Sequence, residues 1–302
     1  MKALITGGAG FIGSHIADSL VKNGDAVVVV DNLQTGKLAN LPSRVTFYRE
    51  DITQPLLRGI FCREQPEVVF HQAAQVSVPK SVADPKLDVR INVLGAINVL
   101  EAAKASGVRK VIFASSAAVY GEPQYLPIDE AHPIAPQTPY GLAKHTVERY
   151  LALYRELYGL RYTVLRYANV YGPRQDGGGE GGVVAIFAQR LSAGLVPTVF
   201  GSGEQTRDFV FVGDVAAANL AAIAQADGQV LNISTQKAIS VNALYVKMAA
   251  LWGVTLPAGK GPAREGDIQH SILNNAKACR KLSWAPRWSL DSGLEMLRQE
   301  LR

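Results

Sequence analysis

Lys2-Ala-Leu-Ile-Thr6-Gly7-Gly-Ala-Gly10-Phe-Ile-Gly13 sets an apolar run of strand length directly before glycines at a fixed spacing, with a helical pattern opening behind them. Glycines so placed permit a tight turn, close approach of backbone to a diphosphate and close helix–strand packing, while the helix N-terminus attracts phosphate. Gly7, Gly10 and Gly13, with Phe11 and Ile12 in the first helical turn, are therefore candidate dinucleotide-binding residues. Asp31 closes the next apolar run. A carboxylate there accepts hydrogen bonds from ribose hydroxyls and repels a 2′-phosphate, which favours NAD over NADP. Asp51-Ile52 follows the third run and falls at the same sheet edge.

Outward from this unit, strand-length runs recur at Ala26 to Asp31, Val45 to Arg49, Val68 to His71, Lys110 to Ser115 and Tyr162 to Arg166. Helix-length segments separate them, which is the order of a parallel sheet covered on both faces. Gly24, Gly107 and Gly159 follow three of these segments, where a left-handed residue closes a helix. The predicted fold class is α/β, a Rossmann-type doubly wound parallel sheet with a smaller C-terminal α/β domain. Residues 1–171 would form the NAD-binding domain and 172–302 the substrate domain. Beyond Gly172 the texture changes: Gly177-Gly-Gly-Glu-Gly-Gly182 reads as a flexible loop, and short helices, isolated strands and prolines follow. Asp208 to Val212, with the alanine-rich helix from Asp214, is regular enough to rejoin the first sheet, so residues 206–236 are expected to return to that domain.

With 302 residues, 48% of them hydrophobic, the chain can bury a large core. No run approaches the roughly 18 uninterrupted apolar residues of a membrane helix, and the N-terminus enters a strand without a signal-peptide pattern, so no membrane partner and a cytoplasmic address are expected. Cys62 and Cys279 are too few for a disulfide framework, and neither has metal-ligand spacing with the five histidines, so no metal is expected. The net charge of +5 would suit nucleic acid, but the basic residues form no run and have no interleaved aromatics. A small anionic ligand matches better.

Thr138-Pro-Tyr140-Gly-Leu-Ala-Lys144 opens a helix, with Thr138 as its cap, Pro139 in its first position and Gly159 at its end. Tyr140 and Lys144 then share one face. An ammonium beside a phenol favours phenolate, so the usual tyrosine value of about 10 is expected to fall toward neutrality and suit general-base work. Ser115-Ser116 closes a strand at the carboxyl edge of the sheet, where open α/β proteins bind ligands. The Ser116 hydroxyl can there hold a substrate oxygen while Tyr140 takes its proton. The plain alternative is an exposed i,i+4 pair, against which the serine ahead of it argues.

The glycine loop, Ser116 and Tyr140-x-x-x-Lys144, in this order, resemble the extended short-chain dehydrogenase/reductase family. Thr6-Gly-Gly-Ala-Gly-Phe-Ile-Gly-Ser14, Asp31-Asn32, Ser115-Ser-Ala-Ala-Val-Tyr-Gly121 and Arg166-Tyr-Ala-Asn-Val-Tyr-Gly-Pro173 are similar to its UDP-glucose 4-epimerase branch. The resemblance covers essentially the whole chain. It implies an NAD-dependent enzyme that inverts C4 of a UDP-hexose through a transient 4-keto sugar, with Ser116, Tyr140 and Lys144 catalytic. Around NAD it adds Asn32, Ala73, Ala74, Gln75, Asn92, Ser115 and Tyr167, besides Tyr140 and Lys144. For the UDP-sugar it implies Asn169, Arg207 and Arg264 at the diphosphate, Val184 and Phe200 beside the uracil, and Asp267 and Ser271 toward the sugar, besides Ser116 and Tyr140. Guanidinium groups match phosphate oxygens and stay charged. Ser271 stands where some relatives carry a bulky residue, which predicts turnover of UDP-N-acetylglucosamine. A homodimer is implied through helices near residues 84 to 106 and 139 to 158.

The pattern departs from that branch at Ala118, where threonine is common, at Gly213-Asp214, which replaces an acidic pair, and at Gln72, which replaces leucine. Within the family a uronate 4-epimerase, dehydratase, decarboxylase or reductase remains open. Dehydratases usually carry an Asp-Glu pair where this chain has Ala117-Ala118. A noncatalytic NAD-sensing regulator is the alternative from another class, and such proteins dispense with the tyrosine and lysine present here.

Overall fold

The computed structural model describes residues 1–178, 182–263 and 268–301. In chain order its strands are β1 (Lys2–Thr6), β2 (Ala26–Asp31), β3 (Val45–Arg49), β4 (Val68–His71), β5 (Lys110–Ser116), β6 (Arg161–Tyr167), β7 (Asn169–Tyr171), β8 (Thr198–Phe200), β9 (Thr206–Phe211), β10 (Gln229–Ile233), β11 (Ala238–Ser240), β12 (Gly259–Gly261) and β13 (His270–Ser271). The helices are α1 (Phe11–Lys22), α2 (Leu57–Glu64), α3 (Val78–Ala83), α4 (Pro85–Asp88), α5 (Gly95–Ala105), α6 (Pro139–Tyr158), α7 (Val183–Ser192), α8 (Val212–Ala221), α9 (Val241–Trp252), α10 (Ala276–Leu282) and α11 (Leu290–Glu300). One π-helical turn, Val89–Leu94, joins α4 to α5. The six strands expected from the apolar runs coincide with β1 to β6, with ends shifted by at most one residue.

The main sheet has seven strands in the order β10-β6-β5-β4-β1-β2-β3, every pair parallel. Alternation within each strand explains why the runs are apolar throughout: Ala3, Ile5, Val27 and Val29 enter the core beneath α1, α8 and α10, while Leu4, Val28 and Val30 enter the core beneath α2, α5 and α6. The winding reverses between β1 and β4, and the carboxyl ends of those strands open a crevice there.

A second core, built from Tyr171, Phe187, Phe209, Phe211, Leu244, Met248 and Leu294 among others, lies beneath a smaller sheet in which β9 pairs with β7, β11 and β13. This corrects the expectation for Asp208 to Val212, which does not rejoin the large sheet. The free edge of β6 is taken instead by β10, paired residue for residue from Thr163↔Gln229 to Tyr167↔Ile233. What returns to the first core is α8, through Val215, Ala216 and Ala218, followed by β10. Among the described residues no helix is long and apolar enough to cross a membrane.

Candidate active site

β1 runs into the glycine turn at the crevice. Gly7 takes φ +71°, and a Cβ there would lie 2.6 Å from the Ala73 backbone nitrogen; at Gly13 it would collide with the Gly7 carbonyl oxygen. The turn is bare backbone held against Ala73, with Ala74 following in the same loop after β4. Helix α1 starts at Phe11 and Ile12 from Gly10 with no side-chain cap and no acidic residue in its first turn, so its leading amides face an anion unopposed. Asp31, at the end of β2, accepts from the Ala9 amide (3.0 Å) and the Leu33 amide (2.8 Å) and so stands beside the turn. Asn32 donates to Asp51 (2.8 Å), which also takes the Thr53 amide and hydroxyl at 2.8 and 2.7 Å. Burial resists ionisation of Asp51, but these hydrogen bonds outweigh it and hold the carboxyl below its usual range. Ile52 is buried, and a Cβ on Gly95 would meet its side chain at 2.7 Å. Bare backbone, an uncapped helix and a carboxylate at the second strand fit the diphosphate and ribose of a dinucleotide.

Ser116 ends β5, and its Oγ accepts the Ala118 amide at 3.2 Å, capping a single turn at Ala117–Val119. Thr138 caps α6 through the Gly141 amide (3.2 Å), Pro139 fills the first position and Gly159 closes the helix at φ +69°. Gly141 lets the helix lie on the loop after β5, since a Cβ there would sit 2.5 Å from the Ala118 carbonyl oxygen. That approach brings Tyr140 beside Ser116, whose hydroxyl favours the phenolate. Lys144 is buried, donates to the Ala114 carbonyl at 2.8 Å and lies 5.0 and 5.7 Å from the ring centres of Phe113 and Tyr140.

The structure reverses the direction expected for the phenol. Burial pushes Tyr140 up to about 12, the Ser116 hydrogen bond pulls it down and the Asp88 charge pushes it up. Part of the tyrosine surface stays open to solvent, which tempers the push. Burial also lowers Lys144 to about 8, against the charges of Asp88 and Glu148, which raise it. Desolvation acts on both groups and exceeds what one ammonium gives a neighbouring phenolate. His71, buried at the end of β4, is lowered to about 3 by burial and then by Lys144, and its Nδ1 pairs with Thr6 Oγ1 at 2.8 Å. It adds no charge at neutral pH.

Several residues expected to line the ligand have their polar atoms engaged inside the protein. Ser115 donates to Glu148 at 2.6 Å, and Glu148 also takes Arg166 Nε and Nη2 at 2.9 and 2.5 Å. Asn92 bonds the Gln75 backbone through both ends of its amide, at 2.8 and 2.9 Å, and the Gln75 side chain bonds Ser77 and Asp88. Tyr167 accepts from Asn219 at 2.8 Å and from Gln72 at 3.3 Å, which gives the unusual Gln72 its place. Ser115, Gln75 and Asn92 thus brace the site from behind through these atoms. Glu148, Asp88 and Asn219 escape the sequence reading, and Arg166 enters it only as the start of a motif; the signal available for Glu148 is that it lies a turn beyond Lys144.

In the smaller sheet the register sets Ser271 beside Arg207 and Asn169 beside Phe209, two residues further along β9. Arg207 donates to the Thr206 carbonyl at 2.8 Å. Phe200 ends β8 against Gly261, where a Cβ would meet its ring at 2.8 Å. Val184 is 1% exposed, and its side chain packs within the second core. Arg264 and Asp267 lie outside the described residues, as does part of the glycine-rich loop, Gly179 to Gly181.

The sequence pattern of the NAD dependent epimerase/dehydratase family matches residues 3–234. The UDP-glucose 4-epimerase of Mycolicibacterium smegmatis is 42% identical over 301 residues, covering 97% of this chain and 96% of that protein. The crystal structure of UDP-glucose 4-epimerase from Thermotoga maritima with UDP-glucose superposes with a TM-score of 0.98 at 45% identity, covering 99% of this chain and 98% of that one. The UDP-glucose 4-epimerase of Thermus thermophilus in complex with NAD gives 0.95 at 40% identity, over 100% and 99%.

Proposed function

The chain belongs to the NAD dependent epimerase/dehydratase family, and on that premise we infer that it interconverts UDP-glucose and UDP-galactose by inverting C4, with NAD as its cofactor. The observation that carries this reading is the meeting of Ser116, Tyr140 and Lys144 at the carboxyl edge of β5, beside the glycine turn.

Gly7 to Gly13 would hold the NAD diphosphate on the α1 N-terminus, and Asp31 would hold its adenosine ribose. When bound, NAD supplies the electron-pair acceptor and donor for C4 and a positive charge on its oxidised ring. Tyr140 exchanges the proton of the sugar's 4-hydroxyl, and Ser116 holds that oxygen by donating to it. Lys144, an ammonium on the same helix face, favours the phenolate. Burial sets the phenol high, and positive charge beside it acts in the opposite direction, toward phenolate. The 4-keto sugar must then turn to offer its other face, so binding energy belongs on the uridine diphosphate, with Arg207, Arg264 and Asn169 at its oxygens. Ala117 and Ala118 follow Ser116, leaving no acid there to eliminate water.

A second copy of the chain covers the apolar faces near residues 84 to 106 and 139 to 158. We assign the enzyme to the cytoplasm, where the free thiols of Cys62 and Cys279 suit a reducing setting.

The test is incubation with UDP-galactose, with and without added NAD⁺, following UDP-glucose by chromatography beside Tyr140→Phe. Conversion by the wild type and a fall of roughly 10²- to 10⁴-fold in the variant are expected. No conversion with NAD⁺ present overturns the C4 assignment. UDP-N-acetylglucosamine in the same assay reads the breadth that the small Ser271 allows.

A further inference from the structure

Asp88 closes α4 at the head of the π-helical turn and is fully buried. Its Oδ1 accepts from Gln75 Nε2 and Asn92 Nδ2, each at 2.9 Å, while its Oδ2 is buried with no hydrogen-bond partner among the described residues. A carboxylate in such a place is costly unless a cation stands near. No lysine, arginine or histidine among the described residues makes a contact ion pair with it. Helix α4 packs on α6, the helix that carries Lys144, and the field of that ammonium favours the Asp88 carboxylate against the burial that raises its carboxyl.

Lys144 has the complementary deficit. Its buried ammonium has the Ala114 carbonyl for an acceptor and two aromatic rings beside it. Glu148, the other acid whose field it feels, is already matched by Arg166 in two contacts and bonded by Ser115 and His145. From β4 it faces His71, which carries no charge at neutral pH. From its own helix it faces the neutral phenol of Tyr140. The groups holding Asp88, Gln75 and Asn92, are uncharged amides.

We propose that Asp88 is the counter-charge of Lys144, a positioning residue that keeps the buried ammonium protonated while the Gln75–Asn92 clamp fixes where that negative charge sits. The inference rests on the role proposed above for Lys144 beside Tyr140. The negative charge acts on both groups in the same direction: it favours ammonium and disfavours phenolate. Lys144 is the one that titrates near working pH, so removing the charge of Asp88 strips the ammonium of its proton first.

The experiment is an NMR titration of the full protein carrying ¹³C at lysine Cε, with Lys144→Met used to assign the resonance. Asp88→Asn, close in size, is expected to move the Lys144 titration down by roughly one unit, the scale on which one nearby charge acts on a buried group. The alkaline limb of kcat is expected to move with it while KM for UDP-galactose changes little, a split that loosened structure alone would not give. In the wild type the same resonance is expected to carry a small second inflection in the acid range, where Asp88 takes up its proton. An unmoved Lys144 titration in Asp88→Asn overturns the proposal. Should that variant not fold, absence of the acid inflection in the wild type overturns it. Failure of UDP-hexose turnover would remove the proposed reaction but leave both titrations readable, so the two readings fail separately.

Discussion

Tyr140 shows how much a single side chain owes to its surroundings. Four residues from Lys144 on one helix face, it has a cation placed to ease its ionisation, yet burial sets its phenol at about 12. Burial works against that cation, and positive charge brought near the phenol favours its ionisation. The role proposed for Arg207 at the diphosphate is open to direct measurement. Hydrogen bonds to charged groups contribute about 1.5–3 kcal/mol, so Arg207→Ala is expected to weaken UDP binding by roughly ten- to a hundredfold in calorimetry. Unchanged UDP affinity would take Arg207 out of the diphosphate site.

Among the elements, α6 does the most to join sheet and site. Its first turn carries Tyr140, its second Lys144, and its third Glu148, which ties the helix to β5 through Ser115 and to β6 through Arg166. Burial opposes the Glu148 charge, and the bonds from Arg166, His145 and Ser115 outweigh it, leaving the carboxyl below its ordinary range. A carboxyl depressed on folding contributes stability that is present above its unfolded value of about 4.3 and is lost as pH falls through the folded value. Chemical denaturation is therefore expected to show Glu148→Ala costing about 3–5 kcal/mol at neutral pH, because it strands Arg166 in the core. That deficit should shrink in acid. A deficit unaltered by acid would mean that lost packing, and not the ion pair, sets the cost.

For the whole molecule, the apolar residues left outside are as informative as those within. Leu142, Leu153 and Leu157 are 55%, 43% and 60% exposed on one face of α6, and Val82, Val89 and Leu94 are 60%, 46% and 52% exposed between α3 and α5. Single exposed leucines are ordinary, but two helical faces bearing them suit burial against a second copy. Light scattering is expected to give twice the chain mass of 32.4 kDa, and Leu153→Glu with Leu157→Glu is expected to return it to one. A wild-type monomer would refute the arrangement. Local pattern sufficed for β1 to β6, the glycine turn, the cap and close of α6 and the Tyr140–Lys144 spacing, because each is read over a few neighbouring residues. Which sheet receives β9, the burial of Val184, the bracing of Ser115 by Glu148 and the clamp of Gln75 and Asn92 on Asp88 join residues far apart in the chain. Packing between distant segments settles these, and with them the direction in which the Tyr140 phenol shifts, because desolvation depends on what packs around a group and not on what precedes it.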